Sequence, residues 1–115
     1  EEKIIPRHQN KVLSLDIILS AIKDYQKIEY EGDFNNLNKK EFSFNETEVK
    51  TNLNKIKILL LSGKHINKID NLQQFISLEE LYLLNNSIFH IENLENLKNL
   101  QVLNLKSNKP SFLTK

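Results

Sequence analysis

The chain lacks cysteine, methionine and tryptophan, and it holds only two glycines and two prolines among its 115 residues. Without cysteine it cannot form a disulfide, a thiolate zinc site or a thiol nucleophile, and this composition suits a reducing compartment. Gly32 and Gly63 are too few for a glycine-rich loop that cradles a phosphate group. Because the chain begins with Glu1 and contains no methionine, we expect it to be a fragment of a longer protein.

Long apolar runs and a strong net charge are also missing. The longest apolar runs, such as residues 58–61, are far shorter than the roughly 20 residues that span a bilayer, and no signal-peptide pattern opens the chain. Sixteen basic and 15 acidic residues give a formal net charge of +1, so no overall field favours nucleic acid or an anionic membrane. We expect a protein of the cytoplasm or cytoskeleton, with no nucleic-acid partner and no membrane partner.

Candidate catalytic and metal-ligating residues are sparse. The three histidines, His8, His65 and His90, are each 25 or more residues from the next, so no two share a helix face at metal-ligand spacing. Glu79 and Glu80 are consecutive at the start of a predicted strand, where their side chains point to opposite sides and cannot act at one site. These observations predict no metal, no cofactor, no small-molecule substrate and no enzymatic activity.

The N-terminal half is predicted to contain an arm and a helix. Residues 1–11 are mostly polar without periodicity, which indicates an arm that is disordered or lies on another surface. Ser14 is a candidate N-cap, and apolar residues recur at helical spacing after it, which predicts a helix from Leu15 to Gln26. We expect residues 12–54 to form a capping region whose helix covers the first edge of the segment that follows.

The second half repeats one pattern at a shift of 22 residues. Leu78, Leu81, Leu83 and Asn86 align in order with Leu100, Leu103, Leu105 and Asn108, and one shift earlier stand Ile56, Leu59, Leu61 and Lys64. Each Leu-x-Leu core predicts a short strand with both leucines pointing inward. The asparagine after each strand is predicted to satisfy backbone groups freed at the turn. Residues 55–115 therefore divide into about three units.

This pattern, from Leu78 to Leu94, resembles the 22-residue subclass of leucine-rich repeats. That subclass includes ciliary and axonemal proteins similar to dynein light chain 1, and the nuclear regulatory subunit of protein phosphatase 1. The resemblance implies an α/β leucine-rich-repeat solenoid of short parallel strands, preceded by an N-terminal capping helix and with the C-terminal cap missing. Departures from the pattern are Lys64 for the turn asparagine, which predicts a looser first turn, and Pro110 for the following isoleucine.

The function implied by the resemblance is non-enzymatic protein–protein interaction. The first expectation is a scaffold in the cilium axoneme, as a structural subunit of a radial spoke or of a dynein-associated complex. The alternative is a regulatory or targeting subunit that binds protein phosphatase 1. A third class, a spliceosomal leucine-rich repeat that presents another protein to RNA, is disfavoured by the nearly neutral charge.

Strand alternation predicts the binding surface. If the leucines of each Leu-x-Leu core point inward, the intervening side chains form the opposite face. That face would contain Ile58, Leu60, Ser62, Glu80, Tyr82, Leu84, Val102, Asn104 and Lys106. Five of these nine are apolar or aromatic, which predicts a site for a helix or peptide of a larger assembly. The alternative is that the N-terminal arm or the predicted helix covers them.

A second candidate surface is the edge of the last unit. Only ten residues follow Leu105, three of them lysine and one proline, which is too few for an amphipathic helix that would cover this edge. The sequence therefore predicts that Phe112 and Leu113 lie at an open edge, which a partner or further chain must cover.

Overall fold

The computed structural model of the chain describes residues 11–32 and 42–108. Along the chain these residues form helix α1 (Leu15–Glu31), helix α2 (Glu46–Thr51), a 3-10 turn (Leu53–Lys55), and strands β1 (Ile58–Leu60), β2 (Glu80–Tyr82) and β3 (Val102–Asn104). Most of the predicted arm, as well as Pro110, Phe112 and Leu113, lies outside the described residues. Neither described helix is long and apolar enough to cross a membrane.

Helix α1 begins where the sequence predicts and ends later. The Ser14 hydroxyl accepts a hydrogen bond from the Ile17 N–H at 3.3 Å and caps the first turn. The predicted end at Gln26 is wrong, since the helix continues to Glu31. No glycine or proline lies between Ser14 and Gly32, so the helix continues although its last turns bury little, with Ile28 69% exposed. The apolar spacing that predicts the helix weakens after Gln26, where Lys27, Ile28 and Glu29 are exposed.

The three strands form one parallel sheet in the order β1-β2-β3. Leu59 pairs with Leu81, and Leu81 pairs with Leu103, so each pairing joins residues 22 positions apart. The parallel pairing follows from the spacing of the Leu-x-Leu cores. One isolated parallel bridge, between Val12 and Lys68, ties the chain before α1 to the connection between β1 and β2.

The predicted leucine-rich-repeat solenoid is wrong. The described residues form a small compact α/β fold with one three-stranded parallel sheet and two helices, and no array of repeats is evident in residues 11–32 and 42–108. The physical reason is the arrangement of the core. Side chains of α1 and of the sheet belong to one hydrophobic cluster, so α1 is an integral layer of the fold and does not merely cap a stack. Each strand has only three residues.

Seventeen apolar side chains of the described residues form the buried core. Its largest member is Phe75, which is fully buried and lies in the connection between β1 and β2. The other members are Leu13, Ile18, Leu19, Ala21, Ile22, Leu53, Leu59, Leu61, Ile66, Ile69, Leu72, Leu78, Leu81, Leu83, Ile88 and Leu97. The inward leucines of β1 and β2 are thus buried as the alternation predicts, and the intervening side chains are left on the other face of the sheet.

Asn86 is the one buried polar side chain among the described residues. Its Nδ2 donates to the carbonyl oxygens of Leu61 and Leu83, both at 3.0 Å, and to that of Leu84 at 3.2 Å. Its Oδ1 accepts from the backbone N–H groups of Lys64 at 2.9 Å and Ile66 at 3.1 Å. The side chain of Asn86, which belongs to the next turn, therefore holds the turn at Lys64 in place. The prediction of a looser turn considered only the residue at position 64.

Candidate functional site

The side chains between the buried leucines form one exposed face of the sheet. The register places Ile58, Glu80 and Val102 in one row across the strands. Leu60, Tyr82 and Asn104 form a second row, with Leu84 and Lys106 just beyond the strands. We call this set the exposed sheet face: Ile58, Leu60, Glu80, Tyr82, Leu84, Val102, Asn104 and Lys106. Because neighbouring strands lie about 4.8 Å apart, the two rows are continuous.

Three apolar side chains of this face are substantially open to solvent. The exposed fraction is 39% for Ile58, 43% for Leu60 and 39% for Val102. Glu80, Tyr82, Leu84 and Asn104 are half-buried, and Lys106 is exposed. The inward neighbours on the same strands, Leu59 and Leu81, are 1% and 0% exposed. The geometry thus brings together the residues that alternation selected for this face.

A tyrosine and a carboxylate define the polar centre of the face. The Tyr82 hydroxyl donates to Glu80 Oε1 at 2.6 Å. This hydrogen bond is the main reason that the pKa of Tyr82 is raised above 10.0, with smaller contributions from desolvation and from the negative charge of Glu80. Tyr82 therefore stays a neutral hydrogen-bond donor with a fixed orientation. It presents an aromatic ring with a polar tip, a combination enriched in protein interfaces.

Tyr25 is a residue that the sequence interpretation missed. It lies on α1 and is 38% exposed. A hydrogen bond with Glu29 is the main cause that raises its pKa, and the negative charge of Glu29, desolvation and the negative charge of Glu80 add smaller contributions. The i,i+4 spacing of Tyr25 and Glu29 could have revealed the pair, but only if the helix had been predicted to continue past Gln26.

An apolar groove separates α1 from β1. Its volume is about 350 Å³. Ala21, Ile22, Tyr25 and Gln26 line one side, and residues 55–60 line the other. The groove opens beside Ile58 and Leu60, so it continues the exposed sheet face toward the helix.

The outer edge of β3 is less covered than the rest of the sheet. Leu103 occupies the register position of Leu59 and Leu81 but is 36% exposed. Among the described residues, β3 is the last strand of the sheet and lies on the side away from α1, which packs against β1. Leu103 therefore lies at the end of the sheet where the sequence predicts an open edge. The two residues predicted to line that edge, Phe112 and Leu113, lie outside the described residues.

The remaining ionisable groups are dispersed. Within residues 11–32 and 42–108, no group of three histidine, aspartate or glutamate side chains could hold a metal ion. Glu79 forms an ion pair with Lys57 at 3.6 Å, whereas the Glu80 carboxylate accepts from Tyr82. His65 and His90 are both exposed. What the described surface offers is an apolar and aromatic contact area with fixed polar groups.

No family model matches the chain, and no curated protein is significantly similar to it. The resemblance to leucine-rich repeats therefore stays a prediction from the 22-residue spacing. The candidate site depends on its geometry alone.

Proposed function

We propose that this chain is a non-enzymatic protein–protein interaction module that binds a helix or peptide of a larger assembly through the exposed sheet face. The observation that carries the proposal is the merging of Ile58, Leu60 and Val102, each about 40% exposed, around Tyr82 on a regular parallel sheet. Contiguous apolar surface on a folded protein commonly marks a binding site.

The energetics support a specific contact of moderate strength. Fully burying one exposed apolar side chain contributes roughly 1.5–3 kcal/mol, so a side chain about 40% exposed would add on the order of 1 kcal/mol. Three such residues and the Tyr82 ring would supply a small energetic centre, surrounded by the polar groups of Glu80, Asn104 and Lys106.

The assembly we propose is a ciliary axonemal complex, with the chain as a structural subunit of a radial spoke or a dynein-associated particle. Its support is the likeness of the Leu78–Leu94 pattern to ciliary leucine-rich repeat proteins. The competing assignment, a regulatory subunit of protein phosphatase 1, differs in what would bind. Axonemal structural proteins should copurify in the first case and a stoichiometric phosphatase catalytic subunit in the second.

The test is crosslinking from Tyr82 in native material, combined with substitutions of the face. Replacing Ile58 and Val102 together by Arg should abolish capture of the protein that crosslinks to Tyr82, because two cations cannot be buried in an apolar contact. The control is Ile76→Arg, since Ile76 is 51% exposed and lies outside the strands. Capture that survives the double substitution, or is lost equally with Ile76→Arg, would refute the proposal.

A further inference from the structure

The first two strands show how the backbone of each strand bonds to the next one. In β1 the Leu61 N–H donates to the next strand at 2.8 Å, and the Lys57 carbonyl accepts N–H groups from it at 2.8 and 3.0 Å. In β2 the Leu83 N–H and the Glu79 carbonyl bond to β3 in the same way and at the same distances. The equivalent groups of β3 must therefore point toward whatever lies beyond β3.

The outer edge of β3 carries these groups without a neighbouring strand. The Leu105 N–H and the Gln101 carbonyl occupy the equivalent positions. The N–H and C=O groups of Leu103 point the same way, because successive residues of a parallel strand bond to opposite neighbours, and Val102 and Asn104 bond to β2. Within residues 11–32 and 42–108, no further strand pairs with this edge. Such an edge is a template for another chain.

The outward groups of β3 are complementary to those of a second copy. A two-fold axis perpendicular to the sheet, relating one Leu103 to the other, would set the two β3 strands antiparallel. The N–H and C=O groups of the two Leu103 residues would then bond to each other, as in the hydrogen-bonded pairs of an antiparallel sheet. The same register would place each Leu105 N–H opposite the Gln101 carbonyl of the other copy. Every donor of this set thus meets an acceptor.

The side chains beside this edge form an apolar layer that is only partly covered. We call this set the end layer, and its members are Ile91, Leu94, Leu100, Leu103 and Leu105. The residues at the equivalent positions one shift earlier are all buried, and they are Ile69, Leu72, Leu78, Leu81 and Leu83. Ile91 is 52% exposed and Leu103 is 36% exposed, whereas Ile69 and Leu81 are both 0% exposed. A second end layer would shield this surface from water.

Charge does not oppose contact between two copies. The formal net charge of the chain is +1, and no residue of β3 is ionisable. In the antiparallel register, Lys106 falls opposite a leucine of the other copy. On the connection beside the end layer, the exposed Glu95 and Lys98 have opposite signs. The contact therefore sets no like charges directly opposite each other, an arrangement that would destabilise the pairing.

We propose that two copies of this chain form a closed dimer through the outer edges of β3 and their end layers. The other edge of the sheet limits the assembly to two, because α1 packs against β1 and shares its core with Leu59. Each copy thus offers one free edge, and a two-fold contact between two such edges is closed. Because the axis is perpendicular to the sheet, both exposed sheet faces lie on the same side of the dimer. The inference concerns a different surface from the proposed function and is tested independently of it.

The first test is the oligomeric state of the whole chain by sedimentation equilibrium. The expected result is a reversible equilibrium between monomer and dimer, with no larger species. Leu103→Lys should raise the dissociation constant of the dimer at least tenfold, since it places a charge between two apolar layers. Ile76→Lys is the matched control, because Ile76 is 51% exposed and lies outside the strands and the end layer. A monomer at every concentration, or equal effects of the two variants, would overturn the proposal.

Cysteine crosslinking then tests the register, and the chain has no cysteine of its own to interfere. The antiparallel register sets Val102 of one copy directly opposite Asn104 of the other, at the spacing of about 4.5 Å between Cα atoms that a disulfide can bridge. An oxidised mixture of the Val102→Cys and Asn104→Cys variants should therefore form crosslinked heterodimers. Either variant alone should crosslink poorly, because identical residues lie diagonally, about 7–8 Å apart. Equal crosslinking in the mixture and in the single variants would contradict the proposed pairing.

Two further variants separate this dimer from other ways of covering the same surfaces. Leu60→Arg alters the exposed sheet face on β1 and should leave the dimer intact. A dimer lost with Leu60→Arg but kept with Leu103→Lys would place the contact on the exposed sheet face and overturn the proposal. Phe112→Ser combined with Leu113→Ser should also leave the dimer intact. A parent chain that is monomeric, and dimerises only after this double substitution, would show that its own last residues cover the end layer, which also overturns the proposal.

Discussion

At the scale of single residues, Asn86 has a larger structural role than its size suggests. One side-chain amide satisfies backbone groups of two successive turns, both its own and the turn at Lys64. Asn86→Ala would leave these groups without partners in a nearly water-free position, and each unsatisfied buried group costs about 1–3 kcal/mol. We expect a loss of about 3 kcal/mol in the free energy of unfolding, measured by urea denaturation.

Asn99 offers a matched control for this prediction. Its exposed side chain donates one hydrogen bond, to the Ile76 carbonyl at 3.0 Å. Asn99→Ala should change the free energy of unfolding by no more than about 0.5 kcal/mol. Equal losses in the two variants would mean that burial of the amide is not what matters.

The pair of Tyr82 and Glu80 predicts a pH dependence at high pH. The pKa of Tyr82 in the folded chain is raised above 10.0, so the stabilisation from its hydrogen bond is fully present below pH 10 and is lost as the phenol ionises above that pH. Glu80→Gln removes the negative charge, which should bring the pKa of Tyr82 closer to 10.0 in a titration of phenolate absorbance. Glu79→Gln, whose carboxylate pairs with Lys57, should leave the titration unchanged. If Glu79→Gln shifts the pKa of Tyr82 and Glu80→Gln does not, Glu80 is not the hydrogen-bond partner of Tyr82.

At the scale of elements, the strands differ in how well their neighbours cover them. Leu81, in the central strand, is 0% exposed, whereas Leu103, at the equivalent position of the edge strand, is 36% exposed. Leu81→Ala should therefore lower the free energy of unfolding by about 2–5 kcal/mol, and Leu103→Ala by roughly half as much, because less apolar surface is lost. Thermal and urea denaturation of both variants measure the difference. A greater loss in the free energy of unfolding for Leu103→Ala would mean that the edge strand is better packed than the central strand.

Prediction from sequence succeeded for elements where local chemistry and pattern agree. The Ser14 cap set the start of α1, and the Leu-x-Leu spacing set the parallel register of Leu59, Leu81 and Leu103. The end of α1 was missed because most side chains after Gln26 are exposed and do not continue the apolar spacing of the first turns. The groove was missed for a different reason. It depends on how closely α1 approaches the edge of β1, and no periodicity within either segment encodes that distance.

At the scale of the whole molecule, the 22-residue periodicity alone led to the wrong architecture. A shift of 22 residues predicts which residues of neighbouring strands pair, and the three strands pair at that spacing. The architecture depends also on what fills the other side of the strands, and here α1 shares one core with the sheet through Leu13, Ile18 and Ile22. The exposed sheet face could be assigned from alternation, because a strand has only two faces and one of them is buried. The position of Tyr25 in the groove between α1 and β1 required the tertiary structure.

The bridge between Val12 and Lys68 has a consequence for the timing of folding. It joins residues 56 positions apart, and the Leu13 N–H donates to the Lys68 carbonyl at 2.9 Å while Asn71 Nδ2 donates to the Leu13 carbonyl at 2.8 Å. During synthesis, α1 can form as soon as it leaves the ribosome, but the segment that anchors it has no partner until residue 71 has emerged. Until then the apolar stripe of α1 faces water. The nascent chain is therefore most prone to aggregation, and to capture by a chaperone, before β2 has been made.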